Sequence, residues 1–334
     1  MKRVVAIPLM ELGGYWKDVR DHTLPTLVTG GAGFIGSRLV RRLVDAEEET
    51  IVLDIVAAPS RIVDIMPKIR YIQGDVSNLN EVLHAVKNER IDLIYHLAAL
   101  LTIDAEADPV RALRVNVDGT VNVLEAARVL DVERVVFPST RAIFGKGDSK
   151  PTTEDSPRKP VSTYGATKLL CEWYGEKFHE KYGVDFRALR FVMVYGAGRV
   201  TGGSSFGSQL IENPAFGRTA RIPFSEKEKT DWLYVKDAVK ALLMIGGVDS
   251  PKRRIYNING EAQTLGRVAE IVKTSIPNAD IRFEPGPLPL SSLYPLLDDS
   301  VARTELEWYP SYTIEKGVKD HLDEILGKTD PNTR

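Results

Sequence analysis

The chain has 334 residues, and 44 Lys and Arg against 46 Asp and Glu leave a formal charge of −2. That balance offers no broad basic face for nucleic acid and no cationic face for an anionic membrane. With 43% hydrophobic and 27% charged residues, disorder is excluded as the main state, and the lone cysteine, Cys171, excludes an intrachain disulfide and a thiolate metal cluster.

The length fits one large domain or two ordinary ones. Residues 1–24 stand outside the pattern that follows and read as an N-terminal extension of unknown role. Their apolar run is broken by Pro8 and followed by acidic residues, which is not the make-up of a signal peptide. The longest apolar stretch, Leu93 to Ile103, falls well short of the ~18–20 residues of a spanning helix. Cysteine usage and the absence of a targeting segment point to the cytoplasm.

From Thr26 strands and helices alternate. Thr26–Thr29 is a short apolar strand, and Ile35, Leu39 and Leu43 mark one stripe of a helix from Phe34 to about Ala46. Strands are expected at Ile51–Asp54, Ile69–Gln73, Leu93–Leu97, Arg134–Pro138 and Asp185–Phe191. Helices are expected at Asn80–Glu89, from Pro109 to about Leu130, and from Thr163 to Tyr182, the last capped by Gly183. Repeated βα units with short links predict an α/β fold built on a doubly wound parallel sheet of the Rossmann type. The expected division is a dinucleotide-binding domain over 25–195 and a smaller C-terminal substrate lobe over 196–330, some segments of which return to the first domain.

Gly30, Gly33 and Gly36 follow the first strand and open the first helix. A tight turn, close approach of backbone to a pyrophosphate, and packing of helix on strand each exclude a Cβ there. Asp54 ends the second strand, where a carboxylate accepts from both hydroxyls of an adenine ribose and repels a 2′-phosphate. NAD is therefore the expected cofactor, with Arg61 the downstream residue that could instead meet a phosphate.

Tyr164 and Lys168 lie four apart at the start of a helix and share a face. A Tyr hydroxyl titrates near 10 unperturbed, too high for a base at neutral pH. A neighbouring ammonium stabilises the phenolate, which can then take a proton from a substrate hydroxyl. Ser139 and Thr140 end the strand before that helix, at the sheet edge where such folds bind ligands, so Thr140 is placed to hold the reacting oxygen.

TGGAGFIG, Asp54, GDV at Gly74–Val76, HLAA at His96–Ala99, NVDGTVNVLEAAR from Asn116, PST at Pro138–Thr140 and YGATK at Tyr164–Lys168 occur in that order. With TDWLYVKDA and DDSVARTELEWYP further on, the chain resembles an extended short-chain dehydrogenase/reductase, the NAD-dependent epimerase/dehydratase family, over about residues 26–325. The resemblance implies that Phe34 and Ile35 meet the pyrophosphate through backbone N–H. It also implies that Asp75 and Val76 flank adenine, that Leu97, Ala98 and Ala99 line the ribose, and that Asn116 supports the active-site helix. Ser139 joins the cofactor set, and Tyr164, Lys168 and Thr140 carry the chemistry. Two helices, 109–130 and 163–182, resemble the pair that forms a dimer interface in this family, so a homodimer is expected.

UDP-galactose 4-epimerase and its near relatives hold a diphosphate with polar and basic residues, and three such positions depart here. Met193 stands for Asn, Thr230 stands for Arg, and no Arg lies between Arg282 and Arg303; Arg218 or Arg221 could substitute. HLAALLT, GGSSF at Gly202–Phe206 and YPLLDDSVAR resemble instead the short-chain type of L-threonine 3-dehydrogenase. Thr102, Thr140, Arg141, Ser204 and Ser205 are accordingly the expected contacts to a small polar substrate. The leading reading is an NAD-dependent dehydrogenase of a secondary alcohol on a hydroxy amino acid, hydroxy acid or sugar. The alternatives are a nucleotide-sugar 4-epimerase or dehydratase with tightly held NAD, and a non-catalytic NAD-binding sensor. The histidines show no ligand spacing, so no metal is expected; His96 reads as structural and Cys171 as packing.

Overall fold

The computed structural model describes residues 25–146, 151–284 and 296–327, so the expected extension over 1–24 lies outside the described residues. The strands are β1 (Thr26–Thr29), β2 (Thr50–Asp54), β3 (Arg70–Gln73), β4 (Leu93–His96), β5 (Arg134–Thr140) and β6 (Asp185–Phe191). The smaller strands that follow are β7 (Met193–Tyr195), β8 (Ala220–Ile222), β9 (Lys229–Tyr234), β10 (Ile255–Ile258), β11 (Glu261–Thr264) and β12 (Ile281–Phe283). A seven-stranded parallel sheet runs in the order β10-β6-β5-β4-β1-β2-β3. Successive residues of β1 and β2 point to opposite faces. Leu27 and Ile51 join one buried cluster, and Val28 and Val52 join the other. A sheet buried on both sides needs such continuous apolar strands, and helices must cover both faces.

The first eight helices in chain order are α1 (Phe34–Asp45), α2 (Leu79–Glu89), α3 (Thr102–Ala107), α4 (Pro109–Ala112), α5 (Gly119–Val129), α6 (Thr163–Tyr182), α7 (Phe206–Ala215) and α8 (Val235–Gly247). The single helix expected from Pro109 is interrupted. Between α4 and α5 the segment Leu113–Asp118 winds as a π turn, whose extra residue changes where Asn116 points. Ser162 caps α6 by accepting from the backbone of Gly165, and Gly183 ends it at φ +78°.

Strand order reverses between β1 and β4, so the loops after them diverge and leave a crevice beyond the carboxyl ends of the sheet. Over that crevice sits a second layer, in which β9 pairs parallel with β7 and antiparallel with β11, and β12 pairs with β8. Trp232 and Tyr234 of β9 are core residues, each 2% exposed.

Candidate active site

The turn after β1 is built for close approach. Gly30 lies at φ +70°, and a Cβ on it would stand 2.6 Å from the backbone nitrogen of Ala98. A Cβ on Gly36 would stand 2.1 Å from the carbonyl oxygen of Gly30. Both positions require glycine, and the chain passes over the N-terminus of α1. No side chain caps that terminus and no acid lies in its first turn, so its orphan N–H groups face the crevice. Asp54 is buried at the end of β2, where its carboxylate accepts from the backbone of Ala32 at 2.9 Å and of Val56 at 3.1 Å. Those bonds fix the carboxylate beside the glycine turn. Arg61 also borders the cavity described below, donating to the carbonyl of Gly198.

A cavity of about 360 Å³ runs from this turn to the end of β5, within the size range of small-molecule sites. Gly30, Gly33, Phe34, Ile35, Gly36, Leu97 and Ala99 border one end. Tyr164, Lys168, Thr140, Arg141, Thr102 and Ser204 border the other. The structure thus brings together residues from the turn after β1, α1, the segment after β4, β5, α6 and the 202–204 loop.

Lys168 is 2% exposed; its ammonium donates to the carbonyl of Pro138 at 2.9 Å and lies 5.8 Å from the centroid of the Tyr164 ring. Burial pulls its pKa down to about 8, opposed by the Cys171 and Glu172 side chains. Thr140 accepts from the backbone of Ala142 at 3.2 Å, which fixes its hydroxyl at the strand end. Asn116 accepts from the backbone of Leu100 at 2.7 Å and donates to the Thr167 hydroxyl at 3.0 Å, tying the segment after β4 to α6.

Other expected residues sit differently. Ser139 borders the cavity, but its hydroxyl donates to Glu172, which also holds Arg190 in a fully buried pair. Asp75 accepts from Ser77, and the carbonyl of Val76 accepts from Asn122; neither borders the cavity. Ala98 packs on Gly30, and Asn116 supports the wall from behind. Ser205 lies outside the cavity lining, 3.5 Å from the amide of Gln209. His96 is fully buried between the Thr29 and Thr120 hydroxyls, at 2.7 and 3.1 Å. Burial, and then the charge of Lys168, lower its pKa to about 3, so it is neutral.

Beside Thr230, where the epimerase pattern has arginine, stands a guanidinium from the turn after β5. The guanidinium of Arg141 donates to Thr230 at 2.8 Å and approaches Asp231 at 3.4 Å, while bordering the cavity. A second guanidinium, Arg199, borders it beside Ser204. Arg218 and Arg221, the expected substitutes, lie outside the lining: Arg218 stacks on Phe216 and Arg221 is exposed on β8. Arg199 ends the segment VYGAGR, which resembles the epimerase version of the family, but its entry into the cavity depends on how that glycine-rich turn folds back over Phe34.

Residues 26–259 match the family described as NAD dependent epimerase/dehydratase. Over 315 residues the chain is 31% identical to a UDP-glucose 4-epimerase of Mycolicibacterium smegmatis, spanning 91% of this chain and 99% of that one. The solved L-threonine dehydrogenase of Cupriavidus necator, in its holo form, superposes with a TM-score of 0.83 at 27% identity over 90% of this chain and 99% of that one. A Thermus thermophilus UDP-glucose 4-epimerase in complex with NAD superposes with a TM-score of 0.80 at 27% identity, over 92% and 100%.

Proposed function

Because the chain belongs to the NAD-dependent epimerase/dehydratase family, we propose that it is an NAD-dependent oxidoreductase that oxidises a secondary alcohol on a small polar substrate. The substrate classes are a hydroxy amino acid, a hydroxy acid or a sugar. The observation that carries this reading is the meeting of Tyr164, Lys168 and Thr140 with the glycine turn in one cavity.

The residues present fit the cofactor. The glycine turn admits a diphosphate where any Cβ would collide, and Phe34 and Ile35 offer backbone N–H groups to it. Asp54 accepts from the adenine ribose. NAD, when bound, supplies the hydride acceptor. Thr140 holds the substrate hydroxyl beside Tyr164, and the phenolate of Tyr164 takes its proton. Lys168 lowers the cost of that phenolate by its charge, and the carbonyl of Pro138 holds the ammonium in place. Met193, 3% exposed, leaves that wall apolar. The 202–204 loop covers the cavity, with a Cβ on Gly202 placed 3.0 Å from Leu101; a short lid over a small substrate excludes water.

A second reading, a UDP-sugar 4-epimerase, is favoured by Arg141, which restores a guanidinium beside Thr230. The two readings separate on one measurement. Purified protein is mixed with NAD and, in turn, hydroxy amino acids, hydroxy acids, sugars and UDP-sugars, and absorbance of NADH is followed. Net NADH from a small alcohol supports the dehydrogenase. Interconversion of a UDP-sugar with no net NADH replaces it with the epimerase.

We also infer a homodimer in a reducing cytoplasm. Val110 of α4, Leu113 of the π turn, and Leu170 and Trp173 of α6 are exposed by 62, 47, 37 and 49%, an apolar surface suited to a second copy. Cys171, the single cysteine of the chain, is buried. No helix among the described residues is long and apolar enough to cross a membrane. A monomeric mass in solution would overturn the dimer.

A further inference from the structure

Arg199 forms no ion pair among the described residues. Its guanidinium donates to the Val194 carbonyl and to the Ser204 hydroxyl at 2.7 Å, and lies 5.6 Å from the centroid of the Phe34 ring. Its Nε is buried with no hydrogen-bond partner. Among the described residues no carboxylate forms an ion pair with it. Arg141, by contrast, is paired with Asp231, and Arg190 with Glu172. A partly buried guanidinium without a counter-charge is costly, and burial pulls its pKa down to about 10, with Tyr164 near enough to oppose the shift. Such a cost is offset when an anion enters and accepts from it.

The position of the group selects where that anion belongs. Arg199 borders the cavity together with Thr102, Ser204 and Tyr164. The site of a Cβ on Gly202 would lie 3.6 Å from its Nη2 and 3.0 Å from Leu101, so the covering loop and the segment after β4 enclose it. We propose that Arg199 is the anchor for an anionic group of the substrate, a carboxylate or a phosphate, held at the opposite end of the substrate from the hydroxyl that Thr140 and Tyr164 receive. This rests on the oxidoreductase reading above and narrows it: hydroxy acids, hydroxy amino acids and sugar acids or phosphates are accepted, and neutral sugars are poor substrates. Ser204 orients the fork of the guanidinium, and a bidentate carboxylate fits that fork better than it would fit a lysine.

The test uses calorimetry on the full-length protein saturated with NAD, with oxalate and inorganic phosphate as separate probes. Wild type is expected to bind at least one of them, and Arg199→Gln to weaken that binding at least tenfold. Arg199→Lys, which keeps the charge but loses the fork, should fall between them, and NAD affinity should stay within about threefold in both. Preference for oxalate identifies a carboxylate substrate, and preference for phosphate a phosphorylated one. The proposal is overturned if wild type binds neither anion. It is overturned equally if Arg199→Gln binds as wild type does, or if the variants lose NAD instead, which would assign the guanidinium to the cofactor diphosphate. If Arg199→Gln does not fold, Arg199→Lys alone decides: unchanged anion affinity overturns the anchor. The two readings fail separately. Anion binding through Arg199 with no NADH from any small alcohol removes the dehydrogenase and leaves the anchor. NADH formed from neutral sugars without anion binding does the reverse.

Discussion

The guanidinium of Arg141, at the end of β5, donates a 2.8 Å hydrogen bond to the hydroxyl of Thr230 on β9, joining two different sheets at the wall of the cavity. The same group faces Asp231, which is fully buried and also accepts from Leu297 and Asn259. Arg141 therefore brings charge to the position, but that charge is already partnered. UDP is expected to bind more weakly than micromolar by calorimetry, because a diphosphate would have to compete with Asp231 for it. Micromolar binding, about −8 kcal/mol, would promote the epimerase over the dehydrogenase.

Tyr164→Phe is expected to abolish turnover and leave NAD binding within a few-fold. The ring still packs, but no phenolate forms, and loss of a general base costs about 10²–10⁴ in rate. Retention of more than a tenth of the activity would mean that another group takes the proton.

NAD is expected to be preferred over NADP, with Asp54 as the cause. Its carboxylate is held by two backbone N–H groups at the end of β2, so it cannot swing away from a 2′-phosphate. Asp54→Ala should raise the KM for NAD and lower that for NADP. Equal wild-type kcat/KM with both cofactors would rule this out.

His96 gives a pH signature in stability. Its folded pKa of about 3 lies below the ordinary histidine value of 6.5. Above pH 6.5 both states are neutral and its contribution is complete; as pH falls, the unfolded chain takes up the proton first, and stability is lost toward pH 3. Between pH 7 and 5 this amounts to about 2 kcal/mol. Urea unfolding at several pH values should show a steeper decline for wild type than for His96→Gln. Parallel slopes would count against a neutral buried imidazole.

The amino-acid sequence by itself determined whatever depends on neighbours along the chain. Gly30, Gly33 and Gly36 form a turn between a strand and its own helix. Asp54 closes an apolar run, and Tyr164 and Lys168 are a turn apart on one helix. Steric demand and helical period operate over a few residues, so these features are legible before folding. The parallel order of the first six strands followed from βα alternation for the same reason.

What only the tertiary structure decided is which long side chains meet across the cavity. Ile255–Ile258 adds to the sheet beside β6, through pairing with a strand some distance back in the chain. Ser139, alike in sequence to a site residue, turns its hydroxyl to Glu172 because a buried carboxylate bound to Arg190 still needs donors. Arg141 and Arg199 enter the cavity because the layer carrying β7 and β9 folds over the end of the sheet. A flexible guanidinium has many possible partners in an unfolded chain. Burial of the surrounding wall selects one of them, and no local period records that choice.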